Sequence, residues 1–113
     1  MASPRMWNKT VSATDVVTNV IVGATATPFG PATIYAYNSS TTDAAYIAIT
    51  NVGANTTVIT ATATDDGVSW LVAPGKEVAW NLGTQDSTEK FSIGVIMASG
   101  KTATVYLSAI QAQ

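Results

Sequence analysis

Few side chains in this sequence have the type and spacing for chemistry. Asp65-Asp66-Gly67 sets two carboxylates side by side, as in a calcium loop, and Asp86 with Glu89 has the look of an acid and base pair in a polar stretch. Tyr35, Tyr37, Tyr46 and Tyr106 are of the type that stacks on sugar rings, and Asn8-Lys-Thr, Asn38-Ser-Ser and Asn55-Thr-Thr fit the N-glycosylation pattern. Each has a plainer reading. Asp-Gly is a turn signal, and no further oxygen ligands follow Asp65 and Asp66 at a calcium-loop spacing. Asp86 and Glu89 lie among Thr, Ser and Gly, with no apolar surroundings to retune them, and read as a solvated loop. Tyrosines on strands belong first to ordinary sheet or interface packing, and a Thr-rich composition generates sequons by chance.

What is missing narrows the chemistry further. The chain has no cysteine and no histidine, which removes disulfides, thiolate metal sites, cysteine nucleophiles, histidine triads and the usual zinc ligand sets. No phosphate loop, dinucleotide fingerprint or nucleophile elbow occurs, and no pair of carboxylates has the desolvated partner that glycoside hydrolysis needs. The expectation is a protein that is not an enzyme and holds no cofactor or metal.

Charged residues make up 11% of the 113, against about a quarter in ordinary soluble domains, while 47% are hydrophobic. The net charge is −2, and Arg5, Lys9, Lys76, Lys90 and Lys101 are scattered, which is the opposite of a nucleic-acid groove. No window of eighteen apolar residues predicts a membrane span. The N-terminus has a basic residue but no apolar core after it, so no secretory signal is expected and the protein reads as made and used without export. So charge-poor a surface is ill suited to a free monomer, and assembly into a homo-oligomer is the simplest expectation.

These residues need a scaffold, and 113 of them suit one domain with one core. Met1 to Asn8, with Pro4 and an isolated Trp7, reads as irregular, so the expected division is an N-terminal arm over 1–9 and a single domain over 10–113. Met6 and Trp7 would either pack back on the domain or anchor in a neighbouring subunit. Thr10 to Gly23 is rich in β-branched residues and fits one or two strands, and Phe29 among Pro28, Gly30 and Pro31 is a loop residue placed to plug the core. Thr33 to Asn38 alternates, with Ile34 and Ala36 on one face and Tyr35 and Tyr37 on the other. Ala44 to Asn51 does the same with Ile47 and Ile49 against Tyr46, and the two segments read as a hairpin candidate. Thr57 to Asp65 alternates small and threonine faces. Phe91, Ile93, Val95 and Met97 share an inner face, with Gly94 opposite as a site of close packing or a bulge, and Val105, Leu107 and Ala109 lie opposite Tyr106.

The stretch from Val68 to Met97 is the most strongly patterned. Val68, Trp70 and Val72 share one face of a strand, and Val78, Trp80 and Leu82 share one face of the next. Pro74 and Gly75 between them suit a type II turn, whose twist fits a tight hairpin badly. A connection of three or five residues would set Trp70 opposite Trp80 as facing core residues; the alternative is a corner at Ala73 to Lys76 that passes from one sheet to the other. About eight short strands with regular turn signals and no helix predict an all-β fold, an antiparallel β-sandwich or jelly roll, with a closed barrel as the alternative.

The succession Ile34-Tyr-Ala-Tyr-Asn-Ser-Ser, Ala44-Ala-Tyr-Ile-Ala-Ile-Thr-Asn, Leu71-Val-Ala-Pro-Gly-Lys and Phe91-Ser-Ile-Gly-Val-Ile-Met resembles small all-β virion proteins of tailed bacteriophages, over roughly residues 32 to 110. The resemblance implies a capsid decoration (cement) protein or the capsid-bound base of a head fibre. It would be made in the host cytoplasm, sit on the capsid surface, and have the major capsid protein and copies of itself as partners. Pro4, Arg5, Met6 and Trp7 of the arm, with Tyr35 and Tyr37 on an outer strand face, are the expected partner-binding residues. The alternatives are a glycan- or receptor-binding module using exposed tyrosines and the loops near Asn38 and Asp86, and a minor tail or baseplate component.

Overall fold

Alternating β-branched or aromatic and small polar residues favour a pleated chain with one face hidden, and strands form wherever that alternation is strong. A computed structural model describes residues 6–22, 32–53, 69–82 and 90–111. Eight strands run in order: β1 (Met6–Ala13), β2 (Thr18–Val22), β3 (Ala32–Asn38), β4 (Ala45–Gly53), β5 (Trp70–Val72), β6 (Glu77–Leu82), β7 (Lys90–Met97) and β8 (Ala103–Gln111). No helix occurs among the described residues.

The strands form two antiparallel four-stranded sheets, ordered β1-β8-β3-β6 and β2-β7-β4-β5. Strand β1 pairs with β8, β2 with β7, β3 with β6 and β4 with β5, which is a long folded hairpin rolled into two sheets. The roll is stitched by β3 with β8 and β4 with β7. The protein is therefore an all-β antiparallel sandwich with jelly-roll strand order rather than a closed barrel.

Between the sheets lies one apolar cluster. Ile34 and Ala36 of β3, Ile47 of β4, Ile93, Val95 and Met97 of β7, and Val105, Leu107 and Ala109 of β8 are all buried in it, each on the face its strand's alternation assigns. Every fully buried Leu or Ile here contributes roughly 2 kcal/mol of transfer free energy. Trp7, Val20, Val78 and Trp80 close the margins, partly buried.

Three expectations change. The arm ends sooner than the sequence implied: Met6 to Lys9 are already strand, registered against Ile110 to Leu107 of β8. Trp7 points toward the core, and its burial with the added ladder hydrogen bonds outweighs the local irregularity. Strands β3 and β4 do not form a hairpin, because they belong to different sheets. Trp70 and Trp80 do not face each other either: β5 pairs with β4, whereas β6 pairs with β3, where Trp80 is registered with Ile34. Trp70 sits on a three-residue edge strand and is 58% exposed, while Val72 on the same strand is wholly buried.

The corner alternative for Ala73 to Lys76 is what the chain adopts. Gly75 has φ +69, the left-handed value a type II turn demands at that position, and the Lys76 N–H donates to the Ala73 carbonyl at 3.2 Å. Asn38 holds this corner. Its N–H donates to the Lys76 carbonyl and its own carbonyl accepts from Gly75, both at 3.0 Å. Its side-chain amide donates to the carbonyls of Asp43 (2.8 Å) and Val72 (3.1 Å), and its Oδ1 accepts from the Ser40 N–H at 3.0 Å. Among the described residues Asn38 is the polar residue buried with the core, at 0% exposure, and every polar atom of it is engaged.

Gly94 is paired with Ala48 and Asn19 without a bulge; the register irregularity lies instead between Asn51 and Gly53. Phe29, the strand expected over Thr57 to Asp65, the Asp65-Asp66-Gly67 turn, Val68, and the loop with Asp86 and Glu89 lie outside the described residues.

Candidate functional site

Alternation that buries one face of β1, β8, β3 and β6 necessarily turns the other outward. Registered side chains form rows across this outer face. Met6, Ile110, Thr33 and Asn81 make one row, Asn8, Ser108, Tyr35 and Ala79 the next, and Thr10, Tyr106, Tyr37 and Glu77 a third. Small residues alternate with large ones, so the tyrosines stand above troughs floored by Ser108 and Ala79.

Tyr37 and Tyr106, directly registered on neighbouring strands, stack with ring centroids 6.2 Å apart and planes 25° from parallel. They remain 37% and 49% exposed. A groove of about 220 Å³ runs beside them, lined by Asn8, Lys9, Thr10, Tyr37, Glu77, Tyr106, Leu107 and Ser108. A second, of about 320 Å³, is lined by Met6, Trp7, Asn8, Tyr35, Ser108, Ala109 and Ile110. Asn8 and Ser108 line both, so the two grooves adjoin on this sheet.

The charge on this surface is small, with the Glu77 carboxylate at one side and the exposed Lys9 ammonium on the edge strand. The ion pair between Lys101 and Asp43, at 3.9 Å, is not part of either groove lining and, being partly exposed, contributes at most about 1 kcal/mol. No cluster of three or more metal-ligating side chains exists among the described residues. What the face offers is ring stacking and hydrogen bonding.

Four of the six residues singled out in the sequence gather here. Met6 stands 72% exposed, Tyr35 and Tyr37 flank the grooves, and Trp7 lines the larger groove while packing on the core. Pro4 and Arg5 lie outside the described residues. Tyr46 is separated from the others, half-buried in the opposite sheet with Ile96 and Leu71 as cross-strand partners. Tyr106, Asn8, Ser108 and Glu77 complete the site. The alternation in Ala103 to Ile110 put Tyr106 on an outer face, but nothing local shows that β8 lies between β1 and β3. The sequons divide as well: Asn38 spends its amide on the fold, Asn8 is exposed on this face, and Asn55 lies outside the described residues.

No protein-family model matches the chain, and comparison with curated proteins finds no match.

Proposed function

We propose that this protein is a structural virion component, a capsid decoration protein that binds the outer capsid lattice and stabilises it. The observation that carries this reading is the exposed apolar corner of the first sheet. Met6, at 72% exposure, is registered opposite the exposed Ile110 where residues 1–5 lead into β1. The resemblance to small all-β phage virion proteins and a sequence with only 11% charged residues support the same reading.

The work is mechanical. Each copy buries apolar surface and backbone hydrogen-bonding groups across a boundary between capsid subunits, and whatever binds the assembled lattice better than free subunits stabilises the lattice by mass action. Pro4, Arg5 and Met6 supply the anchor, copies of the chain meet one another around a lattice point, and DNA is not contacted.

Mixing the purified chain with bare capsids and sedimenting them tests the proposal. Saturable co-sedimentation and a higher temperature of particle disruption are expected. Removal of residues 1–5 together with Met6→Ser should weaken capsid binding while leaving the domain's own stability within about 0.5 kcal/mol, as for exposed positions generally. A chain that remains monomeric and shows no affinity for capsids overturns the proposal; labelling of intact particles on the tail alone assigns it to a tail or baseplate role instead.

A further inference from the structure

The stacked tyrosines lie away from the Met6 corner, and the anchor at Pro4, Arg5 and Met6 leaves Tyr106 and its groove unused. We propose that the groove beside Tyr37 and Tyr106 is a saccharide-binding site that takes a neutral oligosaccharide laid across the sheet. The inference stands independently of lattice binding.

The aromatic surface comes first. One face of a pyranose ring presents C–H groups, an apolar surface that matches the face of an aromatic ring. Exposed, pre-stacked rings supply that contact at low entropic cost, because a tyrosine has only two side-chain torsions to fix. Tyr37 and Tyr106 hold each other in place. Tyr35, two residues from Tyr37 on the same face, stands roughly 7 Å further along the strand and adds a third ring to this surface.

The polar groups come second. The Asn8 amide, the Thr10 and Ser108 hydroxyls and the Glu77 carboxylate all line the groove. None of these side chains makes a hydrogen bond among the described residues. Elsewhere on the same face pairing does occur, since the Thr33 hydroxyl donates to Asn81 Oδ1 at 2.7 Å. The groove thus gathers unspent donors and acceptors of both kinds beside an apolar wall, the mixture by which small polar ligands are oriented. Sugar hydroxyls, which both donate and accept, fit it.

Charge comes third. One carboxylate and one ammonium at the groove leave no excess of positive charge to hold a phosphate or sulfate, so the ligand chemistry indicated is a neutral polyol. The two grooves adjoin at Asn8 and Ser108, which gives a ligand of more than one ring a second groove beside the first.

The test is a titration of the isotope-labelled chain, followed by nuclear magnetic resonance, with trisaccharides of glucose, galactose, mannose and N-acetylglucosamine. Saturable shifts are expected at Asn8, Tyr37, Tyr106 and Ser108 with at least one of them, in the roughly millimolar range that a few stacking and hydrogen-bonding contacts give. Tyr106→Ala should weaken binding about tenfold, Tyr106→Phe much less, because stacking survives loss of the hydroxyl. Asn8→Ala, at an exposed position with no side-chain partner to lose, provides a second variant that stays folded and should also bind more weakly. Three results overturn the proposal. In one, no member of the panel moves these signals. In another, the Tyr106→Ala and Asn8→Ala chains bind as tightly as the parent. In the last, the same signals shift with protein concentration alone, which makes the face a contact between copies.

Discussion

The outer faces of the two sheets were built by the same alternation and ended differently. At the centre of the β1-β8-β3-β6 sheet, tall side chains stand in the open, with Tyr37, Tyr106 and Tyr35 around the small Ser108. At the matching centre of the β2-β7-β4-β5 sheet, the row Asn19, Gly94 and Ala48 has only small side chains beside Asn19, and Gly94 and Ala48 are buried on the side away from the core. The Asn19 Oδ1 in that row is shut off from water and makes no hydrogen bond among the described residues. Where a sheet is covered on both faces, as at Gly94 and Ala48, residue size is set by packing on both, whereas Leu71 at the edge of the same face is 46% exposed. A sheet closed on one face leaves the other free for residues chosen by what they bind.

The two sheets are packed through the apolar cluster, and Asn38 ties the corner at which the chain passes between them. Replacing it with Leu keeps its bulk but strands the carbonyls of Asp43 and Val72. A loss of about 3 kcal/mol is expected, measured as a lower urea midpoint. A loss below about 1 kcal/mol means that water replaces the amide and that the corner is looser than its hydrogen bonds imply.

Adding bulk separates the two faces directly. Ala48→Leu on the closed face should cost about 2 kcal/mol through overpacking, whereas Ser108→Leu on the open face should stay within about 0.5 kcal/mol. Equal costs would erase the distinction.

Gly75→Ala probes the corner without touching either face. No atom lies within 4 Å of where the new methyl would sit, so any cost comes from the positive φ alone, about 1 kcal/mol. Thermal unfolding of the variant measures it.

The smallest interaction energy is expected between the tyrosines. The Tyr37→Ala and Tyr106→Ala pair of substitutions should reduce stability by only about 1 kcal/mol, with a coupling of about 0.5 kcal/mol in a double-mutant cycle, the usual size of a cross-strand pair. A much larger loss would mean that the open face contributes to the fold as the closed one does.

Much of this was legible from period two. Ile34 and Ala36 against Tyr35 and Tyr37, Ile93, Val95 and Met97 against Gly94, and Val105, Leu107 and Ala109 against Tyr106 all occupy the faces that alternation assigned. The type II turn at Pro74-Gly75 was legible too, because only a residue without a Cβ adopts its positive φ cheaply. The partner of each strand was not. Thr33 to Asn38 followed by a polar turn and Ala44 to Asn51 looks like any hairpin, and nothing local shows that Asn38 turns its amide inward to the Val72 carbonyl and sends the chain to the other sheet. Trp70 misled for the same reason: its apolar ring implied a core position, but a three-residue strand at a sheet edge has too little beside it to cover an indole.

The sequence by itself determined that the chain is all-β, which side of most described strands is apolar, and that histidine and cysteine chemistry is excluded. Those properties depend on residue type and on spacing within a few positions. Tertiary structure alone decided that Asn8 and Thr10 of β1, Tyr106 and Ser108 of β8, Tyr35 and Tyr37 of β3 and Glu77 of β6 meet on one surface. These residues are brought together by pairings between distant segments, chosen by how the whole roll buries its apolar faces, and no local pattern encodes that choice.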